Sequence, residues 1–165
     1  MKALFIGLGS IGQRHLRNLK SIVGNSIDVI AFRSKNRTPV LDEQQKVIEN
    51  TTLEQQYGIR EFDDLDQALA DKPDIAFITN PSRYHINIAL KAAEAGCHLF
   101  IEKPLSTNTD RINELLDLVH HKKLTAMVAY QYRFHPGLTQ VTQWLKNKKI
   151  GPLISATLLQ GDYLP

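Results

Sequence analysis

The chain has 165 residues, of which 42% are hydrophobic and 22% are charged. This composition is typical of one globular domain, or of one domain with part of another, and it excludes wholesale disorder. The formal charge of +3 is small and its basic residues are scattered, which argues against a nucleic-acid partner.

Short apolar runs alternate with amphipathic stretches along the chain, which is the pattern of βα units in a parallel sheet. The apolar runs predict strands over Lys2–Ile6, Ile27–Phe32, Asp74–Thr79, His98–Ile101 and Leu124–Tyr130. The first and third runs are continuously apolar, as expected of strands that are buried on both faces. We therefore expect an α/β domain over residues 1–130, with a doubly wound, mostly parallel sheet of Rossmann type and helices on both faces.

Two later segments have the periodicity of amphipathic helices. Apolar residues recur at i, i+3, i+4 and i+7 from Ile86 to Ala93 and again from Ile112 to Val119. Thr107 and Asp110 have the spacing of a capping box and predict the start of the second helix. The polar segment from Thr38 to Gln56 predicts a further helix.

The character of the sequence changes after Tyr130. Leu138 to Lys148 predicts a helix, and Leu153 to Leu159 predicts one more strand. A lone strand after a finished α/β domain has no obvious partner. We therefore expect residues 131–165 to be a connecting helix and the start of a second domain that this chain does not complete.

A glycine-rich motif follows the first predicted strand and opens a predicted helix. It reads Gly7-Leu8-Gly9-Ser10-Ile11-Gly12, and its position in the first βα turn favours dinucleotide binding. Gly7 would make the tight turn, Gly9 would let the backbone approach a pyrophosphate, and Gly12 would let helix and strand pack closely. The alternatives are a tight βα turn without a ligand and a methyltransferase loop that holds an adenosyl group.

The end of the second strand bears on the choice of cofactor. An NAD site places a carboxylate about 20 residues after the glycine motif, to hold the ribose 2′-hydroxyl. This chain instead has Arg33, Ser34 and Lys35 there. Arg33 can donate to a 2′-phosphate and Ser34 can add a hydroxyl donor, so NADP is the preferred cofactor and NAD the second choice. The alternative is a solvated basic turn.

Three further motifs narrow the functional class. They are Thr79-Asn80-Pro81 through His85 after the strand at 74–79, Glu102-Lys103-Pro104 after the strand at 98–101, and Tyr130 through Pro136. Together with the glycine motif, this set resembles the glucose–fructose oxidoreductase/inositol dehydrogenase family (Gfo/Idh/MocA). The resemblance extends over residues 2–165.

The resemblance implies a role for each matching residue. Gly7 to Gly12 would hold the pyrophosphate, and Arg33 with Ser34 would bind the adenosine ribose or its phosphate. Further cofactor contacts are implied for Thr79, Asn80, Pro81, His85, Glu102, Lys103 and Arg133. Lys103 would also be catalytic, since an ammonium group beside a substrate carbonyl stabilises the negative charge that develops on its oxygen.

Several of these residues could instead have a structural role without a ligand. Lys103 could be an ordinary surface lysine at a strand end, and His85 could be a packed, hydrogen-bonded histidine. His120 and His121 lie at a helix end and receive no metal role. Cys97 is expected to be a small buried residue, and as the single cysteine it fits a reducing, cytoplasmic location.

Two functions of different classes remain open at the level of sequence. The first is the nucleotide-binding part of an NAD(P)-dependent oxidoreductase, which transfers a hydride to or from a carbon of a sugar, nucleotide-sugar or polyol. The second is a stand-alone dinucleotide-binding module without turnover, acting as a sensor or a partner subunit. We expect a small-molecule sugar or polyol as partner, with no nucleic acid and no membrane, and a possible homo-oligomer. The membrane is excluded because no apolar run reaches the ~20 residues of a membrane span.

Overall fold

The computed structural model describes residues 1–24, 26–33, 38–159 and 161. It divides into two compact units, residues 1–129 and residues 130–165. No helix in the described part of the chain is long and apolar enough to cross a membrane.

The first unit is built on a six-stranded sheet in which every pairing is parallel, with the order β3-β2-β1-β4-β5-β6. The strands are β1 (Lys2–Ile6), β2 (Asp28–Phe32), β3 (Arg60–Phe62), β4 (Ile75–Ile78), β5 (His98–Ile101) and β6 (Ala126–Val128). The strand order reverses between β1 and β4, which is the point where open α/β sheets bind their ligands.

Helices cover both faces of this sheet. They are α1 (Ser10–Val23), α2 (Leu53–Tyr57), α3 (Leu65–Ala70), α4 (His85–Glu94) and α5 (Ile112–His121). Apolar residues of α1 and α2 share one buried cluster with Ala3 and Phe5 of β1, whereas α3, α4 and α5 pack with Leu4 and Ile6 on the opposite face. The alternate residues of β1 therefore contribute to two cores, and the expected doubly wound α/β fold is confirmed.

The five strands predicted within residues 1–130 agree with the observed ones to within about two residues, and the buried strands β1 and β4 have the strongest apolar signal. The helix predicted from Ile86 to Ala93 is also confirmed, and it extends from His85 to Glu94. Two short elements, β3 and α3, were not predicted. The second unit contains α6 (Pro136–Lys146), close to the helix predicted there.

Two predictions about helices are wrong in detail. Most of the polar segment 38–56 is not helical. It contains an isolated antiparallel bridge between Leu41 and Val47, and helix only from Leu53. The predicted capping box is also absent, because Asn108 uses its side-chain oxygen to accept from the amide of Asp110 in a local turn. Helix α5 begins only at Ile112.

The strand predicted over Leu153–Leu159 does not form. These residues have no regular secondary structure, and several of their apolar side chains are exposed, among them Ile154 and Leu159. A strand requires a neighbour to pair its backbone groups, and the described residues supply none for this segment. Its assignment to a second domain stays a prediction.

Candidate functional site

A cleft of about 900 Å³ opens at the carboxyl edge of the sheet in the first unit. The loops that follow β1, β2 and β4 meet there, since parallel strands all end at the same edge. Most of its lining comes from these loops and from the short 3₁₀ helix Ser82–Tyr84 that precedes α4: Gly7, Leu8, Gly9, Ser10, Ile11, Arg33, Thr38, Thr79, Asn80, Pro81, Arg83 and Tyr84.

The first and third glycines of the motif are required by close packing. Gly7 has φ +93°, and a Cβ atom there would lie 2.9 Å from the Cα of Asn80. A Cβ at Gly12 would collide with the carbonyl oxygen of Gly7 and lie 2.8 Å from Oγ1 of Thr79. The Thr79 hydroxyl also donates to the Gly7 carbonyl. The β1–α1 turn is therefore packed directly against the end of β4.

Gly9 is different, because no contact within the described part of the chain requires a glycine there. Among the described residues, a Cβ at Gly9 would meet no atom within 4 Å, and Gly9 lines the cleft. It is also the N-cap of α1, with no side-chain cap and no acidic residue in the first turn. The positive end of this helix, where the first N–H groups have no partner within the helix, thus faces a space that a phosphate can enter, so the loop fits a dinucleotide pyrophosphate.

The end of β4 supplies polar groups to the same cleft. Oδ1 of Asn80 is buried and has no hydrogen-bond partner among the described residues. Such an acceptor is costly unless a ligand or water donates to it. The guanidinium of Arg83 stacks over the ring of Tyr84 at 4.7 Å, and both residues line the cleft. Thr79, Asn80 and Pro81 therefore lie where a cofactor contact is predicted.

Arg33 lies at the opposite end of the cleft, after β2. Its side chain is only 7% exposed, so the interpretation as a solvated turn does not describe it. Its Nη1 donates to Oε1 of Glu61 at 2.6 Å, and its Nη2 donates to the carbonyl oxygen of Thr38 at 2.9 Å. Ser34, the second residue predicted at this position, lies outside the described residues.

Gln13 fixes the wall of the cleft next to Arg33. Its side chain is fully buried, and its Nε2 donates to the carbonyl oxygens of Leu8 and Pro39 at 3.0 and 2.8 Å. Its Oε1 accepts from the amide of Leu41 at 2.8 Å. Helix α1 therefore ties the segment after Arg33 to the glycine loop.

The Glu102-Lys103-Pro104 turn follows β5 at the same edge. Oε1 of Glu102 accepts a hydrogen bond from the His15 ring on α1 at 2.7 Å, and Oε2 accepts from the Lys103 amide at 3.0 Å. The Lys103 side chain is exposed, and its peptide bond to Pro104 is cis. The Glu102 carboxylate, for which a cofactor contact is predicted, thus lies against a histidine. The predicted contact stays a prediction.

His85 is 1% exposed and is not among the residues that line the cleft. Its Nδ1 lies 2.8 Å from the carbonyl oxygen of Pro104, and its Nε2 lies 2.7 Å from the carbonyl oxygen of Asn80. The ring thus connects the turn that carries Lys103 to the loop after β4. This arrangement matches the packed, hydrogen-bonded alternative more closely than the predicted cofactor contact.

Arg133 is the remaining residue for which a cofactor contact is predicted. Arg133 belongs to the second unit, where it is exposed at the end of a short 3₁₀ helix, Gln131–Phe134. Its predicted cofactor contact stays a prediction. In the described part of the chain, no group of three or more His, Cys, Asp or Glu residues could hold a metal ion.

Sequence reasoning missed three residues of this edge: Gln13, His15 and Glu61. Gln13 had a signal, since it precedes Leu16 by three residues and so shares the buried face of α1. His15 and Glu61 had none, because their partners are distant in sequence and meet them only through the topology of the sheet.

Comparison with known proteins places this fold in a functional context. Residues 1–130 match the sequence model of GFO_IDH_MocA, described as an oxidoreductase family with an NAD-binding Rossmann fold. D-glucoside 3-dehydrogenase of Escherichia coli is 33% identical over 109 residues, which are 64% of this chain and 30% of the relative. D-xylose 1-dehydrogenase (NADP(+)) 2 of Haloferax volcanii is 33% identical over 87 residues, which are 53% of this chain and 26% of the relative.

A solved structure supports the fold assignment. The WlbA dehydrogenase of Chromobacterium violaceum, in complex with NADH and UDP-GlcNAcA, superimposes with a TM-score of 0.74 at 22% identity. The match covers 92% of this chain and 41% of the other. The chain thus spans less than half the length of the relatives described here.

Proposed function

The chain belongs to the Gfo/Idh/MocA oxidoreductase family, and from this membership we propose that it is the nucleotide-binding part of an NAD(P)-dependent dehydrogenase. The proposed reaction is hydride transfer to or from a carbon of a sugar, nucleotide-sugar or polyol. The sugar dehydrogenases among its relatives support this substrate class. The same proposal includes a small-molecule sugar or polyol as substrate, a homo-oligomeric state and a cytoplasmic location.

The observation that carries the proposal is the open space beside Gly9. Gly7 and Gly12 are explained by contacts within the protein, whereas the described residues leave open space beside Gly9 at the start of α1. A glycine without an internal reason is expected where a ligand must approach the backbone. The pyrophosphate would lie there, the adenosine would extend toward Arg33, and the nicotinamide would extend toward Thr79, Asn80 and Pro81.

Lys103 is the proposed catalytic residue. A bound nicotinamide supplies or accepts the hydride when the cofactor is present. The exposed ammonium of Lys103 would hold the substrate oxygen and stabilise the charge that develops on it as hydride arrives. His85 and Glu102 would orient this lysine, since they bind the backbone of the turn on either side of it.

Binding of NADPH and NADH to the wild-type chain and to Gly9→Ala tests the proposal. Gly9 has φ −67°, so alanine is compatible with the backbone, and the melting temperature should change by no more than about 2 °C. The added methyl group should weaken the binding of both cofactors at least tenfold, because it occupies the space of the pyrophosphate. Isothermal titration calorimetry measures the change.

Gly161→Ala is the matched control, because a Cβ there also meets no atom of the described residues within 4 Å and Gly161 is not among the residues that line the cleft. It should bind both cofactors as the wild type does. If the wild type binds neither cofactor at millimolar concentration, the proposed function is wrong.

A further inference from the structure

The sequence has no carboxylate at the end of β2, but the fold brings one there from β3. Ala31 pairs with Glu61 in the parallel register of β2 and β3, and the Glu61 carboxylate reaches the guanidinium of Arg33. We propose that Glu61 is a specificity-determining residue of the cofactor site: it offsets the charge of Arg33 and lowers the preference for NADP over NAD. This inference rests on the proposed function.

The burial of the pair makes the carboxylate effective. The side chains of Arg33 and Glu61 are 7% and 5% exposed, and their charged atoms are 2.6 Å apart. Water screens charges poorly in such a place, so a 2′-phosphate that approaches Arg33 also experiences repulsion from Glu61. An arginine alone would favour the phosphate strongly, whereas the pair presents almost no net charge.

Arg33 nevertheless keeps hydrogen-bond donors for a ligand. A guanidinium has five N–H groups, and Glu61 and the Thr38 carbonyl each accept from one nitrogen. Arg33 and Thr38 line the cleft, whereas Glu61 does not. The remaining donors can serve a 2′-hydroxyl as well as a 2′-phosphate. The pair therefore suits recognition of either ribose by hydrogen bonds, with a small contribution from charge.

Glu61→Gln separates the charge of residue 61 from its hydrogen bond. The amide oxygen of glutamine can still accept from Arg33, but the negative charge is removed. We expect the dissociation constant for NADPH to fall about tenfold, since the 2′-phosphate then meets an uncompensated cation. The constant for NADH should change less than twofold. Isothermal titration with each cofactor gives the ratio of the two constants.

Glu114→Gln is the matched control. Glu114 also pairs with an arginine, Arg111, through two hydrogen bonds of 2.7 and 2.8 Å, but this pair lies exposed on α5. The substitution changes the net charge of the chain by the same amount. It should leave the NADPH to NADH ratio unchanged, which would exclude a general effect of net charge.

A second variant tests whether Glu61 acts through Arg33. Arg33→Gln/Glu61→Gln removes both charges of the pair. The NADPH preference gained by Glu61→Gln should disappear in this double variant. Thermal unfolding of each variant shows whether the protein remains folded during the measurement.

The outcomes distinguish the two proposals. An increased NADPH preference in Glu61→Gln that depends on Arg33 supports the inference. Binding of both cofactors with an unchanged ratio, or an equal loss for both, overturns it and leaves the proposed function standing. Failure of the wild type to bind either cofactor overturns both proposals.

Discussion

Two edges of one sheet carry arginine–carboxylate pairs of similar length in different surroundings. At the carboxyl edge, the side chains of Arg33 and Glu61 are 7% and 5% exposed. At the amino edge, Arg60 and Asp71 are 55% and 29% exposed, with a contact of 2.8 Å. Arg60 and Glu61 are neighbours in β3, so one short strand contributes to both. The comparison indicates that burial, more than contact distance, decides how strongly such a pair affects stability and the binding of a charged ligand.

The amino edge extends this pair into an exposed network. Nζ of Lys2 donates to Asp71 at 2.8 Å, and Arg60 also approaches Asp28 at 3.3 Å. The hydrogen bonds from Lys2 and Arg60 hold the pKa of Asp71 below its ordinary value. Solvent and salt screen these charges, so the network is expected to contribute little to stability.

The largest loss of stability is expected when only one partner of the buried pair is replaced. Arg33→Met leaves the Glu61 carboxylate without its arginine in a buried place, and the free energy of unfolding should fall by about 3 kcal/mol. Urea denaturation measures the change. Adding Glu61→Gln to this variant should recover part of the loss. A loss no greater than that of the exposed pair would contradict the comparison.

A smaller loss is expected at Gln13, which is buried at the carboxyl edge without charge. Gln13→Leu keeps much of the side-chain volume but leaves the Leu8 and Pro39 carbonyls and the Leu41 amide without this partner. The free energy of unfolding should fall by about 2 kcal/mol. Hydrogen exchange of the Leu41 amide should also accelerate. An unchanged exchange rate would show that Gln13 does not hold this segment.

The reactivity of Cys97 tests whether burial also controls the properties of an ionisable group at the amino edge. Its thiol is buried next to the Pro73 carbonyl, and burial raises its pKa from 9.0 to about 11. At pH 8 a disulfide reagent should label the native chain at least ten times more slowly than the urea-unfolded chain. Because the pKa is raised on folding, this group favours the folded state below pH 9.0, and that contribution is lost between pH 9.0 and about 11.

The smallest effect is expected at Asp71. Asp71→Asn should change the melting temperature by no more than about 2 °C, and 0.5 M salt should remove the difference. The pKa of Asp71 is lowered on folding, so its contribution is present above the ordinary aspartate pKa and is lost as the pH falls through the lower folded value. Melting curves at pH 7 and pH 3 measure this dependence. A large loss at pH 7 would show that exposed pairs matter as much as buried ones.

The parts of the fold that the sequence predicted well are those with a strong apolar signal. Strands β1, β4 and β5 and helix α4 are buried, and their predicted bounds agree with the structure within about two residues. The strand β3 is only three residues long and contains two charged residues, so its sequence resembles a loop. Its existence depends on pairing with β2 at the edge of the sheet.

The candidate site was predictable where its residues follow one another in the chain. Residues 7–11 of the glycine motif and the Thr79-Asn80-Pro81 motif line one cleft, and the family resemblance had implied a cofactor contact for both motifs. Glu61 could not be predicted from the residues that follow β2, because it lies 28 residues from Arg33 in the chain. The contact of His15 with Glu102 spans 87 residues and could not be predicted either.

The length of the turn before β3 can influence the choice of cofactor, because it sets the register in which β3 pairs with β2. Successive residues of a strand point to opposite faces, so a shift by one residue would place Arg60 or Phe62 opposite Ala31 instead of Glu61. An insertion or deletion of one residue in the turn between α2 and β3, at Gly58 and Ile59, could cause such a shift. The carboxylate would then leave Arg33 although no residue of the cleft had changed. A search for altered cofactor use in related sequences should therefore compare the lengths of this turn as well as the residues at the end of β2.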